Sequence, residues 1–185
     1  MIPTATLPVA PGPLAGDAPT HLAALAEEAR LHGSPSAFQA TLATVHTAVR
    51  RLAAMATTAR AAALSLAQHE RLDAIRAELA ALDTALEAEL DTTGRSLLEP
   101  DAIPAKRSRL RLWPRSTSSD DVAATSWSTS VADLLAALDA QLACLAALAN
   151  GQPEGAPSRH LADDTATLLT RHRDALATEV RRWAA

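Results

Sequence analysis

Apolar side chains recur at alternating steps of three and four along the longest unbroken stretch of this chain. Residues 36–93, 58 in number, contain no Gly or Pro. Phe38, Leu42, Val45, Val49 and Leu52 form one ladder there, and Leu72, Ile75, Leu79, Leu82 and Leu86 form a second. Such steps line large apolar groups along one stripe of an α-helix. The two ladders are out of phase. Continued by the same steps, the first reaches Leu66 and then Glu70 and Asp73, where a core cannot lie. Inserting three or four residues does not reconcile the phases, which argues against a simple stutter. One helix of this length would measure about 87 Å, too long for a compact domain of 185 residues. The stretch is therefore expected to form a helical hairpin. Its turn is expected near Ala56–Arg60, where Thr57 and Thr58 can bond local backbone and compete with the helix.

The flanks supply the remaining elements. Residues 1–16 carry four of the eleven prolines, two glycines and no charge, the composition of a disordered or extended tail. A single domain is expected over 17–185. Asp17 or Thr20 can cap a short helix over 18–32, with Leu22 and Leu25 inward and Glu27 and Glu28 outward. Gly33 and Pro35 end it. The hairpin helices are expected at 36–57 and 60–93. Pro100, Pro104 and Pro114 forbid a continuous helix across 99–121, a connection well beyond ordinary loop lengths. A third long helix is expected at 122–149, striped by Trp127, Val131, Leu134, Leu138, Leu142 and Leu145 and stopped by Asn150-Gly151. Ser158 is expected to cap a last helix, 159–184. Leu161, Thr165, Leu168, His172, Leu176, Val180 and Trp183 share its inner face.

Composition sharpens the fold class. Ala, Leu, Arg and Glu are strong helix formers, and the aromatics are only Phe38, Trp113, Trp127 and Trp183. The chain is expected to be all-α. A core rich in Ala buries little area per residue, which predicts modest stability or an oligomer. Cys144 is the only cysteine, so no intrachain disulfide can form, and a buried place as a small hydrophobe is expected for it. No uninterrupted apolar run approaches 18 residues, so no transmembrane segment is expected. The N-terminus lacks the basic region of a signal peptide. A cytoplasmic location is the expectation.

The connections run short, long, short. Short loops join antiparallel neighbours, and a long middle connection lets the chain cross a bundle between two hairpins. Together with this pattern, the segment DDTATLLTRHRDALATEVRRW, Asp163–Trp183, resembles the last helix of Dps-like and related ferritin-like bundle proteins. The resemblance covers about one helix plus the loop pattern. It implies a four-helix bundle of ferritin-like topology with a long crossover between its second and third helices, here preceded by a short N-terminal helix. It also implies a stress or storage protein, for which the metal site must be atypical or absent.

That conclusion about the metal comes from the residues. A ferritin-like di-iron site takes Glu-x-x-His pairs from two helices. The positions three before the six histidines hold Ala18, Ala29, Ala43, Leu66, Pro157 and Leu169. Residues 36–57 contain no Asp or Glu. A looser site could draw on His46, His69, Glu70 and His172, which fall on three different helices. Packing against the core stripes is the competing account of those histidines. Glu28 with His32 and His69 with Asp73 stand at i, i+4, the spacing of solvated helix pairs. No catalytic residue and no cofactor are expected. The chain lacks G-x-S-x-G, a P-loop, G-x-G-x-x-G and C-x-x-C. Ser158, His160 and Asp163 lie close in sequence, with Ser158 better explained as a cap.

Charge singles out one segment. Lys106, Arg107, Arg109, Arg111 and Arg115 place +5 within ten residues, and the chain's formal −4 then leaves −9 on the remainder. Leu110, Leu112 and Trp113 interleave with them. Such a mixture can bind nucleic acid or anionic lipid, or insert Trp113 into a partner. Alternatively its apolar members pin the crossover to the bundle while the arginines meet acidic helices. The expected function is that of a non-enzymatic helical-bundle protein acting through an unidentified protein partner or self-association. Binding of an anionic polymer or membrane surface through 106–115 is the alternative.

Overall fold

The computed structural model describes residues 14, 17–32, 34–97 and 127–183. Among them are five helices and no strand: α1 (Ala18–Leu31), α2 (Pro35–Ala61), α3 (Leu66–Leu97), α4 (Trp127–Asn150) and α5 (Pro157–Trp183). The chain is all-α. The expected crossover over 99–121, the start of a helix at 122 and most of the expected tail lie outside the described residues. Leu14, within that expected tail, is buried.

Local chemistry sets the helix ends. The Asp17 carboxylate accepts from the Thr20 amide at 3.4 Å and starts α1. The Ser34 amide donates back to the Ala29 carbonyl at 2.9 Å, the six-to-one closure of a Schellman motif. His32 Nδ1 donates to the Glu28 carbonyl at 2.8 Å, so the i, i+4 pairing goes to backbone rather than to the Glu28 carboxylate. Pro35, which has no N–H to lose, opens α2.

The hairpin turn lies at residues 62–65, not at Ala56–Arg60. The Thr57 and Thr58 hydroxyls bond the Ala53 and Ala54 carbonyls at 2.8 and 3.3 Å, which is compatible with an unbroken helix. What starts α3 is a capping box. The Gln68 amide donates to Ser65 Oγ at 3.3 Å, while Gln68 Oε1 accepts from the Ser65 and Leu64 amides at 3.0 and 2.7 Å. Ser65 and Gln68 thereby satisfy three donors at a turn without Gly. At the other end α3 runs through Gly94 to Leu97. Ser158 is likewise no cap. α5 opens at Pro157, and Ser158 Oγ donates to Gln152 Oε1 at 2.9 Å across the α4–α5 turn. Gly155 takes φ +75° there, a left-handed conformation that L side chains resist.

Both ladders are core. Every member of the two is at most 1% exposed, and they join residues of all five helices in one apolar cluster. α2 packs closely on α3, α4 on α5, and α2 also along α4. Facing pairs give the directions. Arg60 with Asp73, and His46 with Asp83, make α2 and α3 antiparallel. Trp127 with Trp183, and Arg173 with Asp139, do the same for α4 and α5. Arg71 with Glu179, and Glu78 with Arg171, make α3 antiparallel to α5. It follows that α3 and α4 run in the same sense. The start of α3, the end of α5 and the start of α4 share one end of the molecule. Leu97 lies about 48 Å along α3 from that end, at 1.5 Å per residue over its 32 residues.

α3 and α5 do not pack closely on each other. α1 sits against both, turning Ala18, Leu22, Leu25 and Ala29 inward. His21 Nε2 meets Asp164 Oδ2 of α5 at 2.7 Å. On the other side, a cleft of about 260 Å³ separates Glu27 and Arg30 from Glu89 and Thr93 of α3. The other half of the α3–α5 seam is spanned by the long Arg and Glu side chains just named.

Candidate functional site

The four metal candidates do not converge. His46 Nε2 stands 3.0 Å from Asp83 Oδ1, with Arg50 at 3.9 Å from the same oxygen. The His46–Asp83 contact is close but lacks hydrogen-bond alignment. His69 is half-buried near the start of α3, and its Nδ1 has no protein partner. It does not pair with Asp73, which binds Arg60 and Arg76 instead. The hydrogen bond from Arg60 holds the Asp73 carboxyl below the usual carboxylate range. Glu70, one residue beyond His69, is exposed. His172 is buried inside α5, and its Nε2 is 3.4 Å from Glu78 Oε2. Among the described residues, no three His, Cys, Asp or Glu side chains are grouped to share a metal ion. Lys106, Arg107, Arg109, Arg111, Trp113 and Arg115 all lie outside the described residues.

A feature that residue patterns had not singled out is the outer side of α4. Within Trp127–Asn150 an 18-residue window reaches a mean hydropathy of 1.8, yet only 22% of that window is buried. Val131, Leu134, Leu138 and Leu145 face the core. The opposite side exposes Ala132, Ala136, Ala140, Ala143 and Ala147. Cys144 is exposed on it, against the expectation of a buried thiol. Its place, six residues beyond Leu138 and one before Leu145, turns it away from the buried stripe. The only charges in the helix are Asp133 and Asp139, and Arg173 of α5 engages Asp139 at 3.0 Å.

Two grooves border this helix. One, of about 320 Å³, opens between the start of α4 and the end of α5 and is lined by Trp127, Val131, Leu135, Val180 and Trp183. The two indoles meet edge to face there, 5.3 Å between centroids and 64° apart, a favourable aromatic geometry. The other, of about 410 Å³, runs along α2 and is lined by Thr44, Thr47, Arg51 and Gln141.

By length and composition alone α4 could cross a membrane. Counting uninterrupted apolar residues concealed this, because Ser, Thr, Gln and two Asp divide the helix without lowering its average below that of a span. No family model matches the sequence, and neither a curated protein nor a solved structure matches it.

Proposed function

We propose that this chain is a non-enzymatic helical-bundle protein that works by association, with a second copy of itself as the partner and the outer side of α4 as the contact surface. One observation carries this reading: only 22% of the apolar window of the most hydropathic helix is buried, and its outer side is lined by exposed alanines. An exposed face of this length usually marks an interaction site. Its alanines would let a second helix approach closely, and the Trp127–Trp183 groove beside it would provide an anchor pocket of the kind that dominates interface energetics.

The finer fold reading is a four-helix bundle of α2–α5 with ferritin-like topology, to which α1 is added. The shared sense of α3 and α4, with 29 residues between Leu97 and Trp127, supports it.

The test is solution mass by light scattering over a range of concentrations, for the full chain and for Ala136→Glu and Ala140→Glu. The expected result is an assembly larger than the 19.3 kDa chain, reduced to one chain by either substitution at unchanged helix content. A wild-type mass of one chain at every concentration would remove self-association through α4.

A further inference from the structure

We propose that α1 is an exchangeable strap. It leaves the seam between α3 and α5 as a unit while α2–α5 stay packed, and the vacated groove takes the α1 of a second copy. This deepens the association reading above and rests on it, but uses a different surface.

Three features of the fold support a separable α1. First, α1 is only 14 residues long, about the length at which an isolated helix is marginal in water. Its order therefore depends on docking. Second, α1 meets α2 less than it meets α3 or α5, and the Ser34–Ala29 closure holds the link between them. The chain leaves the helix after Leu31, and α2 begins at Pro35. A proline at that position clashes with a helix continuing back through the link. Third, the partners of α1 do not need it to meet each other everywhere. In the half of the seam away from α1, α3 and α5 are joined by Arg71 with Glu179 and by Arg171 with Glu78.

The docking itself identifies the occupant. α1 buries Ala18, Leu22, Leu25 and Ala29, spacings of four, three and four that form one helical stripe. Beside the stripe, His21 lies against Asp164 at 2.7 Å. An opened groove would present an apolar trough with the Asp164 carboxylate at its edge. The helix that matches both is another α1, with Leu22 and Leu25 for the trough and His21 for Asp164. Reciprocal exchange between two copies recovers these contacts and closes on itself with twofold symmetry.

Two measurements on the full-length chain test this. Hydrogen exchange of the wild-type protein should show the α1 amides exchanging together and faster than the core amides of α2–α5. Exchange of α1 and α2 at one common rate of global unfolding would overturn the proposal. In the second, Leu22→Asp is used to release α1 from the trough. The variant should lose helix content equivalent to about one short helix and keep a cooperative melt. A labelled peptide of residues 17–34 should then bind it saturably, at least about tenfold more tightly than wild type, whose groove is filled. The same peptide carrying Leu22→Asp should not bind. Complete unfolding of the variant, or absence of peptide binding to a folded variant, would overturn the proposal. Failure here with a concentration-dependent mass that Ala140→Glu abolishes would leave the α4 reading intact. Peptide binding with an assembly that Ala140→Glu does not reduce would remove the α4 reading and keep this one, whereas a mass of one chain at every concentration would overturn exchange between copies as well.

Discussion

The imidazole of His172 lies 3.4 Å from the Glu78 carboxylate yet does not hydrogen-bond it. Arg171, the neighbour of His172 on α5, donates to that carboxylate instead. His172 is left in the interior with an unpaired Nε2. Burial first, and then the nearby Arg171 and Arg71 charges, lower its pKa from 6.5 to about 4.

That shift fixes a pH dependence. Between pH 6.5 and about 4 the unfolded chain binds a proton at this histidine and the folded chain does not. Stability therefore rises with pH across the window. The contribution is fully present above 6.5, declines as acid is added, and is gone below about 4. It amounts to about 3 kcal/mol over the whole range. His172→Leu should flatten this part of the stability curve. It should also hold or raise the melting temperature at pH 7, because it removes a buried unpaired nitrogen. Urea unfolding at pH 7 and at pH 4.5 measures the first effect, and a thermal melt at pH 7 the second. Equal acid sensitivity in wild type and variant would refute the assignment.

The second ladder should dominate stability. Leu79 is fully buried in the middle of α3. Leu79→Ala should cost about 2–4 kcal/mol, the lost transfer energy plus the cavity left behind. A cost below about 0.5 kcal/mol on chemical denaturation would mean that this side of α3 is not core.

The α2–α3 turn should depend on one glutamine. Gln68 is 7% exposed and accepts from two turn amides while its own amide bonds Ser65. Gln68→Ala should cost about 1–2 kcal/mol, as loss of a capping interaction does. Gln68→Glu should cost less, because a carboxylate at that position completes the same box and suits the helix N-terminus. If Ala and Glu proved equally damaging, packing rather than capping would account for the residue.

The ladders were legible because their spacing belongs to the residues themselves. All ten of their side chains are buried. The turn lies beyond Ala56–Arg60 because Thr57 and Thr58 need not break a helix. At i, i−4 their hydroxyls can instead bond carbonyls within the helix. The signal that would have located the turn was present as Ser65-x-x-Gln68, a capping box. The exposure of α4 was not legible. A stripe pattern shows which side is buried, whereas Ala is apolar enough for a core and small enough for a surface. Only the arrangement of α2 and α5 decides which alanines are covered. His172 was correctly placed on the inner side of its helix. Its depressed pKa depends on burial and on Arg71 from another helix, which no local window contains.

Cys144 should report directly on the α4 surface. Its thiol is exposed between Ala143 and the buried Leu145, on the side of the helix that carries Ala136, Ala140 and Ala147. If that side meets a second copy, the thiol is open in the free chain and covered in the assembly. Its reaction with a bulky maleimide should then be fast in dilute solution and slow as concentration rises, in proportion to the fraction of free chains. The adduct, once formed, should block association, because it places a large group where alanines approach closely. Cys144→Ser should leave both fold and assembly unchanged, separating the contribution of the surface from that of the thiol. A modification rate independent of concentration, in a protein whose measured mass does change with concentration, would place the contact elsewhere and exclude the α4 face.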